Sequence, residues 1–261
     1  MLDIETTERL RALASARGPL LIVTDLDGTL APIVEQAADA RVPDATLAVL
    51  DRLVGAAKVA VITGRDLNTA RRLVPCQGVT VVGSHGLEPS FEHSLLPPVE
   101  RMSLAAALEQ VEQDVLSAVP SSFLHIERKA ISTAFHFRTA PELEGGIRAA
   151  LAHLPEGLRL REGRMVLEVL PNTESGKGPA LTAVARHYRA KSVLAMGDDA
   201  TDAAMFRAAR ALEAEGVTVM LLGVSGGDET PPEIVALADV MVGSTHEARE
   251  ALEVIARSLG V

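Results

Sequence analysis

The sequence predicts an α/β fold: a doubly wound, Rossmann-like parallel sheet with a small α/β cap domain inserted into it. Three observations carry that expectation. Short runs rich in Leu, Ile and Val recur near both ends of the chain without alternating with polar residues, the pattern of strands covered on both faces. Amphipathic stretches separate those runs, as parallel crossovers require. Two of the runs end abruptly in clustered carboxylates, and open α/β sheets bind ligands beyond the carboxyl ends of their strands.

In chain order, the first strand is expected at Leu20–Thr24, followed by Asp25-Leu26-Asp27-Gly28-Thr29-Leu30. Side chains two apart on an extended chain point the same way, so Asp25 and Asp27 face one site while Leu26 turns into the core. Gly28 lets the chain turn. Helices at Asp44–Val54 and Arg65–Val74 alternate with strands at Val59–Thr63 and Val79–Gly83. After Pro97 and Pro98 the rhythm changes to a helix at Ser103–Ala118, strands at Ser122–Ile126 and Ser132–Arg138, and a helix at Pro141–Ala152. Strands at Leu158–Glu162 and Met165–Leu170 are joined by a hairpin turn at Gly163-Arg164. The first rhythm then returns: a helix over Gly178–Arg189, a strand at Val193–Met196, a helix from Thr201, a strand at Val217–Leu222 and a last helix from Thr245. Residues 1–100 and 173–261 are therefore read as the core and 101–172 as the cap, which from such a position can act as a lid.

Composition narrows the function. A chain of 261 residues, 48% hydrophobic, can bury a sizeable core, here with one Tyr, five Phe and no Trp. A net charge of −10 argues against a general nucleic-acid or anionic-membrane surface, so an anionic substrate must be held by local cations or a metal. The single cysteine, Cys76, excludes an intrachain disulfide and a cysteine zinc cluster. No basic-then-apolar leader and no run near the roughly 20 apolar residues of a membrane span is present, which makes the cytoplasm the default location and a monomer the simplest assembly.

Three further clusters fall at the expected strand ends. Thr63-Gly64-Arg65 offers a hydroxyl and backbone N–H groups, an anion corner; the alternative is that Thr63 or Asp66 simply caps the next helix. Ser175-Gly176-Lys177-Gly178 sets a lysine at a helix start, yet it is not a phosphate-binding P-loop, and alone it reads as a solvated surface lysine. Gly197-Asp198-Asp199-Ala200-Thr201-Asp202 gathers three carboxylates, a set that suits Mg²⁺; the alternative is helix capping by Asp199 and Asp202, which is expected to hold for one of the two, Asp202, and leaves Asp198 free.

The order of these clusters resembles the four motifs of the haloacid dehalogenase-like (HAD) phosphatases. That resemblance implies Asp25 as nucleophile, Asp27 as general acid and base, and Thr63 and Lys177 holding the phosphoryl oxygens. It also implies Mg²⁺ on Asp25, the Asp27 carbonyl and Asp198, with Asp199 and Asp202 in support. Within the superfamily the chain looks like the trehalose-6-phosphate phosphatases, through Asp25 to Leu30, Gly64-Arg65, His85-Gly86-Leu87-Glu88, Glu127-Arg128-Lys129, His136-Phe137-Arg138, Leu167-Glu168-Val169, Lys177-Gly178 and Gly197 to Asp202. By that likeness Gly64, Arg65, His85 and Glu88 belong to the substrate site, and Glu127, Lys129, Arg138 and Glu168 read the distal glucose. Patterning alone would make those four cap residues salt bridges on an exposed strand face. Ala203 stands where the family usually has Glu, which removes a polar group expected near the mouth of the site. The likeness thus implies a Mg²⁺-dependent enzyme hydrolysing trehalose 6-phosphate through an aspartyl-phosphate. The alternatives are a phosphatase for another sugar phosphate (sucrose, glucosylglycerate or a pseudo-disaccharide), a retired scaffold that only binds sugar phosphate, and a mutase.

Overall fold

The structure is a computed structural model that describes residues 2–89, 98–129, 131–163, 165–172, 176–227 and 230–261. The chain divides into two compact units, Met1–Glu92 with Ser175–Val261, and His93–Glu174.

In the first unit the chain runs α1 (Ile4–Ala14), β1 (Leu20–Thr24), α2 (Asp44–Leu53), β2 (Lys58–Ile62), α3 (Leu67–Leu73), β3 (Thr80–Gly83) and β4 (Glu88–Pro89). The second unit contributes α4 (Pro98–Ala118), β5 (His125–Arg128), β6 (Thr133–His136), α5 (Glu144–Ala150), β7 (Leu158–Gly163) and β8 (Val166–Pro171). The first unit then resumes with α6 (Lys177–His187), β9 (Ser192–Gly197), α7 (Ala200–Glu213), β10 (Thr218–Val224), α8 (Pro232–Leu237), β11 (Val240–Val242) and α9 (Thr245–Ser258).

The seven-stranded sheet has the order β11-β10-β9-β1-β2-β3-β4, parallel throughout except for β4 at its edge. Every residue of β1 is buried, which explains its unbroken apolar run. Leu20 and Ile22 enter one apolar layer with Leu10 of α1, Leu50 of α2 and Leu252 of α9. Leu21 and Val23 enter the other, with Leu181 of α6 and Phe206 of α7. The chain leaves β1 toward β2 and β3 on one side and returns through β9 to β11 on the other. The carboxyl ends of β1 and β9 therefore flank a topological switch point, where this class of sheet binds its ligands.

Several local differences from the sequence reading have physical causes. The third helix begins at Leu67 rather than Arg65 because Asp66, extended at φ −60° and ψ 153°, is its N-cap and accepts the Thr69 N–H at 2.9 Å. Four elements were not anticipated: α1, α8, β4 and β11. In α1 only Thr6, Leu10, Leu13 and Ala14 are buried along eleven residues, too sparse an apolar stripe to stand out; Asp3 caps its start through the Thr6 N–H at 2.6 Å. The other three are six, two and three residues long. Among the described residues no helix is long and apolar enough to cross a membrane.

In the second unit four antiparallel strands are ordered β5-β6-β8-β7. Phe135, Leu167 and Val169 are buried, as are Val111 and Val115 of α4 and Ile147 of α5. The helix α4 is tied to the sheet by Glu112, which accepts Arg128 Nε at 2.6 Å and the Thr133 hydroxyl at 3.0 Å. The strand expected at Ser122–Ile126 begins at His125, since Ser121–Phe123 forms a 3₁₀ turn. Pro141–Leu143 is likewise a 3₁₀ turn ahead of α5. The β7–β8 hairpin pairs Gly163 with Val166, so its turn lies one residue later than expected and Met165 takes the left-handed conformation at φ 63°. Arg164 of that expected turn, Ser175 of the lysine motif and Pro97 lie outside the described residues.

Phe206 is fully buried in the layer beneath α7. Phe206→Ala is expected to lower the free energy of unfolding by about 3–5 kcal/mol. Denaturant titration checks this, and a loss below about 1 kcal/mol would show that the layer does not depend on that ring.

Candidate active site

The end of β1 is tied to the end of β9 by the Asp25 N–H, which donates to the Met196 carbonyl at 2.9 Å. From there Asp25 and Asp27 extend to the same side while Leu26 is fully buried in the apolar layer, as the two-residue alternation predicts. Gly28 takes φ 85°, and a Cβ there would collide with the Asp198 carboxylate, so the close approach of the two acidic loops requires glycine. Thr29, fully buried, donates its hydroxyl to Asp198 Oδ1 at 2.8 Å and fixes that carboxylate.

Lys177, the first residue of α6, is 2% exposed, so the surface-lysine reading is overturned. Its Nζ lies 2.8 Å from Asp25 Oδ1, 2.8 Å from Asp202 Oδ1 and 3.8 Å from Asp199 Oδ1. The expectation that only Asp202 caps a helix is also corrected. Asp199 is the N-cap of α7, accepting the N–H groups of Thr201 at 2.8 Å and Asp202 at 3.1 Å, while Asp202 Oδ2 accepts those of Asp198 at 3.0 Å and Asp199 at 3.1 Å. Together they form a capping box.

Electrostatics follow from burial. Loss of water pushes the Asp25 carboxyl well above the usual carboxylate range, the charge of Asp202 adds to the effect, and Lys177 opposes it. Burial likewise raises Asp202. Asp198 is pushed up to about 7 by burial, against the hydrogen bond from Thr29 and with help from Asp202 and Asp199. Burial works to lower the Lys177 ammonium, but Asp25 and Asp202 outweigh it and hold it above the ordinary lysine value. One ammonium thus faces three carboxylates, with Asp198 beside them, and the arrangement is short of positive charge.

Asp25, Asp198 and Asp202 present oxygens within 4.8 Å of one another, a set that can hold a metal ion. Asp202 has both oxygens engaged, by Lys177 and by the Asp198 and Asp199 amides ahead of α7, so the donors left for an ion are chiefly those of Asp25 and Asp198. An oxygen-only donor set suits a hard divalent cation.

Opposite this cluster, Arg65 grips Asp27 with two parallel bonds, Nε to Oδ2 at 2.6 Å and Nη2 to Oδ1 at 2.7 Å. Thr63 is 1% exposed just beyond β2, and its hydroxyl accepts the Arg65 N–H at 3.2 Å. Since Asp66 takes the capping role, Thr63 stays with the site. Ser84 and His85 are both left-handed, at φ 50° and 55°, in the turn after β3. That turn is held by the Arg65 and Thr63 carbonyls, which accept the Ser84 and His85 N–H groups at 2.8 and 2.9 Å. Backbone strain of this kind concentrates at functional sites. It brings the imidazole over Gly64, where a Cβ would strike the ring.

These residues surround a cavity of about 420 Å³ lined by Asp25, Asp27, Thr63, Gly64, Arg65, His85, Lys177, Asp198 and Asp199. Ile33 and Val34, which the sequence reading did not single out, also line it. Glu88 does not join the lining: its buried carboxylate accepts the Leu67 N–H at 2.8 Å, at the start of α3. Ala203 is also displaced from expectation. It is fully buried in the apolar layer beneath α7, not at the mouth of the cavity, so its departure from the family pattern leaves the polar lining intact.

In the second unit, Glu127, Ala134, Glu168 and Arg161 lie side by side across β5, β6, β8 and β7 and so share one face of the sheet. Glu168 accepts from the Ser132 hydroxyl at 2.7 Å, Lys129 Nζ at 3.2 Å and the forked guanidinium of Arg161. Lys129 also lies 3.9 Å from Glu127, which contacts His136 Nε2 at 3.0 Å. Arg138 follows two residues beyond the end of β6. Glu127, Lys129 and Glu168 therefore form one polar cluster. The sequence reading missed Arg161, Ser132 and His136, although alternation along the β7–β8 hairpin places an arginine on the Glu168 face whichever way the turn closes.

A family model described as trehalose-phosphatase matches residues 23–240. The chain is 33% identical over 232 residues to a trehalose-phosphate phosphatase of Mycolicibacterium paratuberculosis, covering 82% of this chain and 57% of that protein. It is 31% identical over 208 residues to a probable trehalose-phosphate phosphatase of Sinorhizobium fredii, covering 76% and 77% of the two chains. The chain thus spans little more than half the length of its mycobacterial relative. In fold it is similar to a trehalose-6-phosphate phosphatase of Aspergillus fumigatus, with a TM-score of 0.65 and 24% identity over 97% of this chain and 98% of that one.

A divalent cation that binds the native acidic cluster and not the unfolded chain adds about 2.7 kcal/mol at ~100 times its dissociation constant. Its addition is expected to raise the unfolding midpoint, and a chelator to reverse the gain. Asp198→Asn is expected to lose the response, as thermal melts of both proteins would show; an equal rise in the variant would remove Asp198 from the metal set.

Proposed function

The chain belongs to the trehalose-phosphatase family, and from that premise we propose that it is a phosphatase hydrolysing trehalose 6-phosphate to trehalose and phosphate. One observation carries the chemistry: two carboxylates from a single strand tip line one cavity with different partners, Asp25 buried against Lys177 and Asp27 partly exposed against Arg65. Such a division suits one group to attack and the other to move protons.

In this reading an Asp25 oxygen attacks phosphorus, the bond from phosphorus to the sugar oxygen breaks, and Asp27, in its protonated form and let go by Arg65, supplies the proton that oxygen takes up. An aspartyl-phosphate results. Water then attacks the same phosphorus, Asp27 accepts its proton, and the bond to Asp25 breaks to release phosphate and restore the carboxylate. Thr63 and Lys177 hold the phosphoryl oxygens through both steps, and the ammonium offsets charge that accumulates there. Asp25 attacks as its carboxylate, the form that Lys177 favours against the effect of burial and that a bound cation would favour further. Mg²⁺, held by Asp25, the Asp27 carbonyl and Asp198, would supply further charge stabilisation when bound. Arg65 and His85 line the phosphate end, and the polar sheet face of residues 101–172 reads the sugar through Glu127, Lys129, Arg138 and Glu168. Sugar discrimination of this kind rests on buried polar groups that the wrong ligand leaves unpaired. The intact motif residues speak against a retired scaffold.

Phosphate release from trehalose 6-phosphate, sucrose 6-phosphate, glucose 6-phosphate and glucosyl-3-phosphoglycerate, with Mg²⁺ or EDTA, tests the reading. Strong preference for the first, abolished by EDTA, is expected; preference for another member would keep the mechanism and replace the substrate. Asp25→Asn is expected to abolish turnover without loss of fold, and Asp27→Asn to slow it by roughly 10²- to 10⁴-fold. Steady-state rates checked against circular dichroism spectra decide both, and retained activity in the first variant would reject its role.

A further inference from the structure

Glu168 is the most heavily engaged carboxylate of the second unit. Its Oε1 accepts the Ser132 hydroxyl at 2.7 Å and the Lys129 ammonium at 3.2 Å, and its Oε2 takes both Nε and Nη2 of Arg161. A carboxylate offers about four acceptor sites, and these four donors fill them. A sugar hydroxyl can therefore reach Glu168 only by taking the place of a donor already there. The donors differ in hold. Arg161 brings two charge-assisted N–H groups to one oxygen, Oε2, from the neighbouring strand, where it is paired in register with Glu168. Lys129 makes one longer bond from the turn that links β5 to β6, and its ammonium is shared with Glu127 at 3.9 Å. Although burial works to raise the Glu168 carboxyl, Arg161 and Ser132 outweigh it and hold it below the usual range, so the group is a committed acceptor.

We infer that Arg161 is a positioning residue for substrate recognition: it anchors Glu168 through Oε2, so that Oε1 faces an incoming sugar hydroxyl that displaces Lys129. The inference rests on the proposed reading of trehalose 6-phosphate as substrate, and it assigns Arg161 no contact with the reacting atoms. Lys129, once displaced, is left beside Glu127 and free to donate to a second sugar oxygen. The order of hold thus separates the roles of two cations that stand on one carboxylate.

The test is a double-mutant cycle of Arg161→Ala and Glu168→Gln, read as KM and kcat for trehalose 6-phosphate and for a small aryl phosphate. Arg161→Ala is expected to raise KM for trehalose 6-phosphate roughly tenfold to a hundredfold, the range for a charge-assisted hydrogen bond, with a much smaller change in kcat. The ratio of kcat/KM for the sugar phosphate to that for the aryl ester falls accordingly. Arg161→Lys keeps the charge and restores part of KM, and its melting profile separates loss of position from loss of fold. In the Glu168→Gln background, Arg161→Ala is expected to cost less than about twofold. An unchanged KM in Arg161→Ala, or an equal cost in both backgrounds, overturns the assignment. A parent protein that prefers no sugar phosphate over the aryl ester overturns the substrate reading, and this inference with it.

Discussion

Burial of the Lys177 ammonium among Asp25, Asp202 and Asp199 is the constraint on which the rest of the site depends. A lysine this deep is costly unless its charge is met, and carboxylates this deep are costlier still unless theirs are. The contact joins three parts of the chain: the tip of β1, the start of α6 and the capping box of α7. Removing the ammonium would leave buried carboxylates uncompensated, whereas removing Asp25 alone leaves Lys177 paired with Asp202. Burial, with the charge of Asp202 adding to it, raises Asp25 and Asp198, and a divalent cation held there would offset that cost.

The parallel sheet provides the platform. Because β1 lies between β9 and β2, the acids after β1 and β9 and the hydroxyl after β2 arrive at neighbouring strand ends without long loops. Gly28 and Gly64 then allow two close approaches that a Cβ would block, one to Asp198 and one to His85. The side of the cavity away from Lys177 carries the opposite arrangement, an arginine on a carboxylate that water still reaches. Two carboxylates from one short loop are thus prepared for different work by their partners.

Much of this was legible in the sequence because the signals were local. Apolar runs without alternation marked the buried strands, and period-two geometry put Asp25 and Asp27 together with Leu26 turned inward. Lys177 was not legible by itself: a lysine between two glycines carries no sign of burial, and only the carboxylates brought to it by the sheet make that burial tolerable. The capping role of Asp199 was missed because three acids within five residues compete for two jobs, and only backbone conformation decides among them. Ala203 misled for a related reason, since helical phase decides whether a residue after the acidic loop faces the cavity or the core. Arg161 escaped because hairpin register decides which arginine of β7 stands opposite Glu168, and the pairing of Gly163 with Val166 differs from the expected turn, while α1 escaped because few of its residues are apolar.

In the proposed mechanism Asp25 attacks phosphorus. Acid quenching during steady turnover of trehalose 6-phosphate, followed by proteolysis and peptide mass analysis, tests it most directly. The account predicts one added phosphoryl group on the peptide that carries Asp25, lost on treatment with hydroxylamine. A phosphoryl group on a different residue, or inversion of configuration at a chiral phosphorus where two successive displacements require net retention, would contradict it.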